Sequence, residues 1–533
     1  MVSLWGSKNN DPQEAEEPEN GRTSHDTDGH EPTERTRLIQ QRPPPPHADG
    51  FLDPDDPAVS PYNLWTVRFL RYLTVLFLFI SFFWWVLLFV SIFVSPPMMH
   101  SRGSGFFDFS FTTLTVGNLL IALLFFANPS KAMRVLTFVL AGLLLLDMIL
   151  ILAVGRVRME EGWVGIASVV WAVFIAIFTA LTDRVVAWGK REEEERLTGR
   201  PETRRTLAEW LGVMISTVFL SLYVAIVVLM TATLILRARD ASLEMEGSRI
   251  FVDGEKYQVH LACVGNVTTG KGGERGPTVL LEGGEEPVEQ SFERWAYGAY
   301  TNGTIDRYCY WDRPGYAWSD DAPSPHSAGM SATALSEALA KSGEEGPWIS
   351  VSAGYGSIVS RIFSSQHAGA VEGILLVDPL HEDLLHRIGQ PNRGFVLWGY
   401  GILSPLGLQR TAGALFKGRS REDRVYGRSA YQGGKMIKAQ LQENLVADSL
   451  TKNEVFSARQ IQEKKTPLAV ISSGLTCNAD KEWAHKQEDI KKITDNLVAS
   501  KIVSKAPHQV WKTFEGREAM EKALTKLVLA AKK

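Results

Sequence analysis

Between an apolar run at Trp348–Val351 and a helix-like stretch ending near Ser365 lies the string Ser352-Ala353-Gly354-Tyr355-Gly356. A tight strand-to-helix turn of the form small-x-nucleophile-x-small holds a serine, cysteine or aspartate exposed for covalent hydrolysis. The centre here is Gly354, which has no side chain and can neither attack a carbonyl nor carry an acyl group. Shifted by two residues, Ser350-Val351-Ser352-Ala353-Gly354 has the same form and nominates Ser352 instead. Cys263, Cys309 and Cys477 all fall within residues 248–533, and spacing alone leaves their pairing open. Asn266-Val267-Thr268 and Asn302-Gly303-Thr304 are glycosylation acceptor sequences. No Cys/His cluster has zinc spacing, so neither a metal nor another cofactor is expected.

The elements that must position these residues alternate along 248–533, the pattern of an α/β domain with a mostly parallel sheet. Arg249–Val264 reads as a hairpin turning at Asp253-Gly254. Strands are expected at Thr278–Leu281, Asp306–Trp311, Trp348–Ser352, Gly373–Val377 and Pro467–Ser472, with helices between them, for example at 328–342 and 357–366. The stretch 386–466 is an insertion carrying mixed charges and the apolar run Phe395–Leu408.

Three strings give this block a resemblance. Asp312-Arg313-Pro314-Gly315-Tyr316-Ala317-Trp318-Ser319-Asp320 resembles the turn after the fourth strand of the α/β-hydrolase superfamily, with Ala317 in place of the second glycine. Leu376-Val377-Asp378-Pro379, followed by His381-Glu382-Asp383, resembles the end of its sixth strand, and Pro507-His508 stands where the family carries its catalytic histidine. The resemblance implies an α/β-hydrolase fold over 248–533, with 386–466 as its lid. It also fixes a register. The family's aspartate 24 residues beyond the nucleophile and its arginine seven beyond it fall on Asp378 and Arg361 when counted from Gly354, so glycine occupies the key position. Ser352 then becomes a small residue at a strand end. The resemblance further implies His508 as base, Asp480 as the acid after the seventh strand, and the backbone N–H groups of Tyr355 and Gly283 as the oxyanion hole. Glu282 replaces the usual histidine or small polar residue there, and Glu285 and Glu286 crowd the loop with negative charge.

Upstream the texture changes. Five segments, about 69–94, 111–127, 134–154, 163–182 and 210–236, have the length and apolarity of bilayer spans within a membrane region at 63–238. Nine Lys/Arg in the loops on the N-terminal side against three on the other side place the N-terminus in the cytosol and the C-terminal domain in a lumen. Asp147 interrupts the third span and reads as an acid hydrogen-bonded to its neighbours. Residues 1–62 hold thirteen acids, five Lys/Arg and the tetraproline Pro43–Pro46, a composition expected to stay disordered. Within them Glu34, Leu38 and Ile39 resemble an acidic dileucine sorting signal read by cytosolic adaptors.

A net charge of −4 excludes a nucleic-acid partner. The whole layout resembles fungal membrane proteins that join a multi-span region to such a domain and are often described as mitochondrial. The sequons and the tail favour the secretory pathway and the vacuolar membrane. The expected function is binding of a lipid, an acyl compound or a protein partner by a domain that has lost its nucleophile. Its rivals are a serine hydrolase using Ser352 and His508, and a transporter subunit in which Asp147 matters.

Overall fold

The computed structural model describes residues 59–99, 101–199, 205–269 and 275–531. Nearly all of the tail, with Glu34, Leu38 and Ile39, lies outside the described residues. Five helices are long and apolar enough to cross a membrane: α1 (Trp65–Phe93), α2 (Phe106–Leu124), α3 (Lys131–Ala153), α4 (Gly155–Thr198) and α5 (Leu207–Asp240). They outrun the expected spans because capping residues extend them into the polar regions. Ser130 caps α3, and Thr206 forms a capping box with Glu209 at the start of α5. Gly162, at φ 62°, bends the entry of α4. Two polar groups on the bundle interior find partners between helices, whereas the Asp108 and Asp147 carboxyls are buried without a hydrogen bond among the described residues. Asn118 of α2 donates to Thr179 Oγ1 of α4 at 3.0 Å, and Trp171 of α4 donates to Ser81 Oγ of α1 at 2.8 Å. Asp147 is fully buried, its carboxyl beside Thr231 of α5.

The C-terminal domain has the α/β-hydrolase fold. Its eight strands are β1 (Ser248–Val252), β2 (Tyr257–Gly265), β3 (Thr278–Glu282), β4 (Arg307–Trp311), β5 (Trp348–Ala353), β6 (Val371–Val377), β7 (Leu468–Ser473) and β8 (Leu497–Val503). They lie in the order β1-β2-β4-β3-β5-β6-β7-β8, antiparallel at β1–β2 and β2–β4 and parallel elsewhere. The two-residue period of each strand divides the core. Leu280, Ile374 and Leu376 face one layer, built from α7 (Ala328–Lys341), α8 (Gly356–Gln366) and later helices. Val279, Leu281, Leu375 and Val377 face the other, built from α6 (Phe292–Thr301) and the last helix (Phe514–Ala531). Cys263 of β2 and Cys309 of β4 are direct cross-strand partners and form a disulfide.

The insertion between β6 and β7 carries six helices: α9 (Leu385–Ile388), α10 (Pro391–Leu403), α11 (Leu408–Phe416), α12 (Arg421–Val425), α13 (Gly434–Val446) and α14 (Lys452–Ile461). After β7 come α15 (Gly474–Ala479), α16 (Lys481–Ile490) and, beyond β8, α17 (Phe514–Ala531).

The insertion ties the domain to the bundle. One apolar cluster joins Leu88 and Ile92 of α1, Phe106 and Phe109 of α2 and Val164 of α4 to Ile437 and Leu441 of α13. Gly401 of α10 lies flat on the Phe106 ring, where any Cβ would collide. Hydrogen bonds run alongside. Ser95 N–H donates to the Ser324 carbonyl at 2.9 Å, and Ser324 N–H returns a bond to Ser95 Oγ at 2.9 Å. The domain therefore meets the bundle at the end where α1, α3 and α5 finish.

Candidate functional site

Parallel strands deliver side chains at their C-terminal ends, where α/β domains place ligands. β5 runs out at Ala353, and the turn to α8 passes through Gly354 at φ 45°, a left-handed conformation that suits glycine. The Gly354 N–H donates to the Val377 carbonyl at 3.2 Å, which fastens the turn to the end of β6. Gly356 faces the Gly283 carbonyl too closely for any Cβ. The local geometry of a nucleophile turn is thus complete without a nucleophile.

His508 arrives from the loop after β8. Its Nδ1 lies 2.6 Å from Asp378 Oδ2 and its Nε2 lies 3.1 Å from Glu285 Oε2. Asp378, fully buried just beyond β6, also accepts from Ser473 N–H at 3.0 Å and Trp483 Nε1–H at 3.1 Å. Glu285 comes from the loop after β3, and its Oε1 accepts the Tyr355 N–H at 3.1 Å. A Cβ built on Gly354 would stand 2.5 Å from Glu285 Oε2 and 2.7 Å from Oε1. The carboxylate therefore occupies the space that a side chain at position 354 would take.

Burial works against the charge on His508, but hydrogen bonds to Asp378 and Glu285 outweigh it and raise the imidazole to about 10. Burial likewise works to raise Glu285, while the bond and charge of His508 and the N–H groups of Glu285 and Tyr355 hold it at about 2. At neutral pH the site is a carboxylate–imidazolium–carboxylate row. A protonated imidazole has no lone pair with which to accept a proton as general base. The Tyr355 N–H, which the resemblance assigns to an oxyanion hole, is already bonded to a carboxylate.

The residues nominated from sequence are distributed unevenly around this row. Gly354, His508 and Tyr355 are part of it. Ser352 is not: its hydroxyl is fully buried and shares a 2.6 Å hydrogen bond with Ser360 of α8. Gly283 lines the loop, but its carbonyl and that of Gly284 are held by the Arg313 guanidinium, which also meets Glu282 Oε1 at 2.9 Å. Asp480 requires a correction. α15 carries it away from the strand end, where it caps α16 through Glu482 N–H at 3.0 Å and Trp483 N–H at 3.1 Å and pairs with Arg387. The acid on His508 is Asp378, which the sequence offered only as a register marker. Glu285 was visible as misplaced negative charge. The pointer to its role was a lone acidic pair in a loop that must face the histidine.

Two other clusters bear on the expectation of no metal. Cys263 and Cys309 lie beside Glu344 but are joined to each other. His260, Glu289 and Asp312 are also grouped, with His260 Nδ1 2.8 Å from Asp312 Oδ2 and Nε2 2.6 Å from the Glu246 carbonyl. Burial opposes its charge, yet the hydrogen bonds and charges of Asp312 and Glu289 raise His260 to about 10, so it acts as a cation tying β2 to the turn after β4. Asn266 and Asn302 are both exposed. They flank the Gly265–Arg307 pairing at the start of β4, the end of the sheet opposite the bundle.

Residues 34–263 match a family model described as a region of unknown function, DUF2417. An uncharacterized vacuolar membrane protein of Saccharomyces cerevisiae is 28% identical over 324 residues, 52% of this chain and 50% of that protein, so the chain spans about half the length of that relative. Among solved structures, the α/β-hydrolase MGS-M2 from a deep-sea metagenome library is 12% identical (TM-score 0.37, covering 53% of this chain and 96% of that one). The Cif epoxide hydrolase from Acinetobacter nosocomialis is 14% identical (TM-score 0.40, covering 57% and 96%). An uncharacterized Schizosaccharomyces pombe protein is 30% identical over 543 residues, 95% of this chain and 98% of its own length. The chain belongs to the family of that Schizosaccharomyces pombe protein, and in this member five helices long and apolar enough to cross a membrane precede a domain of α/β-hydrolase fold.

Proposed function

We propose that this protein is a noncatalytic α/β-hydrolase relative anchored in the vacuolar membrane, whose lumenal domain acts by binding a lipid, an acyl compound or a protein partner. The observation that carries the reading is Glu285, whose carboxylate fills the place of a nucleophile side chain and forms an ion pair with His508. The hydroxyl nominated as a substitute, Ser352, is bonded to Ser360 inside the strand–helix layer. The vacuolar assignment is supported by the name of the Saccharomyces cerevisiae relative. A lumenal domain is supported by the Lys/Arg bias, the Cys263–Cys309 disulfide and two exposed sequons. The purified full-length protein should form no adduct with a serine-directed fluorophosphonate, and Ser352→Ala should behave identically. Strong wild-type labelling that vanishes in Ser352→Ala would falsify the noncatalytic reading.

One observation favours a second reading. The Glu285 side chain keeps 45% of its surface accessible, with one oxygen on the Tyr355 N–H and the other on His508. A carboxylate so held has the geometry to attack carbon itself, forming an ester at Glu285 while the leaving group departs, with water then hydrolysing that ester. Turnover in heavy-oxygen water distinguishes the two. Label appearing in Glu285 supports a carboxylate route, and an unlabelled Glu285 after incubation with epoxide and alkyl halide substrates supports the binding role.

A further inference from the structure

A second cavity, remote from Gly354, lies where the bundle meets the insertion. It has about 100 Å³ of free volume and is walled by the domain-side ends of α2, α4 and α5, by the turn after β4 and by α11 to α13. At roughly 30 Å³ per water it holds about three waters, the size of one phosphate group.

Its walls are unbalanced in charge. Arg156, Arg237, Arg410, Arg424 and Lys435 line it, against the carboxylates Glu160 and Asp240. Glu160 is shared by Arg237 at 2.8 Å, Arg156 at 3.3 Å and Lys435 at 3.9 Å. Asp240 is shared by Arg424 at 2.6 Å and Arg410 at 3.2 Å. Glu161, behind the wall, takes the other arm of Arg237 at 2.5 Å. Deeper acids do not close the gap: Asp320, beside Lys435 and 3.3 Å from Arg249, and Asp321, beside Lys435 and Lys438, bring two further cations, Arg249 and Lys438, with them. Five cations against three carboxylates leave two positive charges in a poorly hydrated junction, where unpaired charge is costly. Arg410 Nε is buried there without a hydrogen-bond partner.

The location narrows the chemistry. The cavity sits level with the ends of the spanning helices, and Leu403, next to Ser404, and Leu408, two residues before Arg410, are more than half exposed. An anion entering along this path would be carried by apolar chains. We infer that this cavity binds the phosphate of an anionic phospholipid, with its acyl chains lying along the bundle and the exposed faces of α10 and α11. The site is separate from the Glu285–His508 row, so it stands or falls independently of the noncatalytic reading.

The test uses the full-length protein in detergent and follows thermal unfolding with phosphatidic acid, phosphatidylcholine or inorganic phosphate at equal concentration. Phosphatidic acid should raise the midpoint by roughly 4 °C or more, with little effect of the other two. Equal shifts with phosphatidylcholine would overturn charge recognition. A full shift with inorganic phosphate would overturn the lipid as source, leaving a free-anion site. Arg410→Gln should abolish the phosphatidic acid response while leaving the lipid-free midpoint unchanged or higher, because it removes surplus charge. A lower lipid-free midpoint with the response intact would show Arg410 to be structural only and overturn the assignment. Ser404→Leu, which fills the cavity without touching an ion pair, should also abolish the response; its persistence would exclude this cavity.

Discussion

At the scale of single residues, the relation between Gly354 and Glu285 determines what the hydrolase domain can do. Restoring a hydroxyl with Gly354→Ser places a Cβ against the Glu285 carboxylate, so the single variant should stay unlabelled by fluorophosphonate and lose stability. The double variant Gly354→Ser/Glu285→Ala removes the obstruction and frees both His508 and the Tyr355 N–H. It should gain detectable labelling, and failure to do so would show that more than the nucleophile has been lost. The ion pair also has a pH signature. His508 is raised to about 10, so its contribution is full below its ordinary value near 6.5 and is lost as pH rises through about 10. Glu285 is held at about 2, so its contribution is full above about 4.5 and is lost as pH falls through about 2. The stability difference between wild type and Glu285→Gln should therefore be greatest between about 4.5 and 6.5 and shrink on both sides. A flat profile from pH 4 to 10 would contradict the pairing. Much of this site was legible from register counting alone: 24 residues from Gly354 to Asp378 and seven to Arg361. The acid was not, because distance along the chain after β7 pointed to Asp480, and only the helix α15 shows that this carboxylate turns away.

At the scale of elements, hydrophobic pattern located the spans and the buried parallel strands, since continuous apolar runs are hard to place elsewhere. β8 escaped notice for the opposite reason. Leu497–Val503 is an edge strand, mostly exposed along its length, and its sequence lacks the uninterrupted apolar run of its neighbours. The cysteine pairing was equally hidden until β2 and β4 came into register. Cys263 and Cys309 lie 46 residues apart in sequence, and in the chain-entropy account replacing both with alanine should cost roughly 3–4 kcal/mol. Chemical denaturation of the variant with and without reductant checks this: reductant should lower the wild-type midpoint and leave the variant unmoved. At the junction, Gly401→Leu would drive a branched side chain into the Phe106 ring. Such overpacking costs typically 1–3 kcal/mol and should appear as faster proteolysis within 386–466.

At the scale of the whole molecule, the five helices place the first and last spanning residues at opposite ends of the bundle, and aromatic residues mark both. Trp65, Tyr72, Trp188 and Trp210 are exposed at the end away from the domain, and Trp163 at the end beside it. If the domain is lumenal, both sequons project from its far side, clear of the bilayer. Glycosidase treatment should then increase gel mobility, and the Asn266→Gln/Asn302→Gln variant should migrate like the treated protein. Cleavage of the domain by protease added to intact vacuoles would reverse the orientation.

The junction cluster also governs how the protein can be divided. A fragment beginning at 248 would keep the entire sheet, both of its helical layers and the disulfide. It would also turn Trp398, Ile402, Ile437 and Leu441 out into water, where they now meet α1, α2 and α4. Such a contiguous apolar face on a free domain invites self-association. Recombinant work on the hydrolase half alone is therefore expected to yield aggregates.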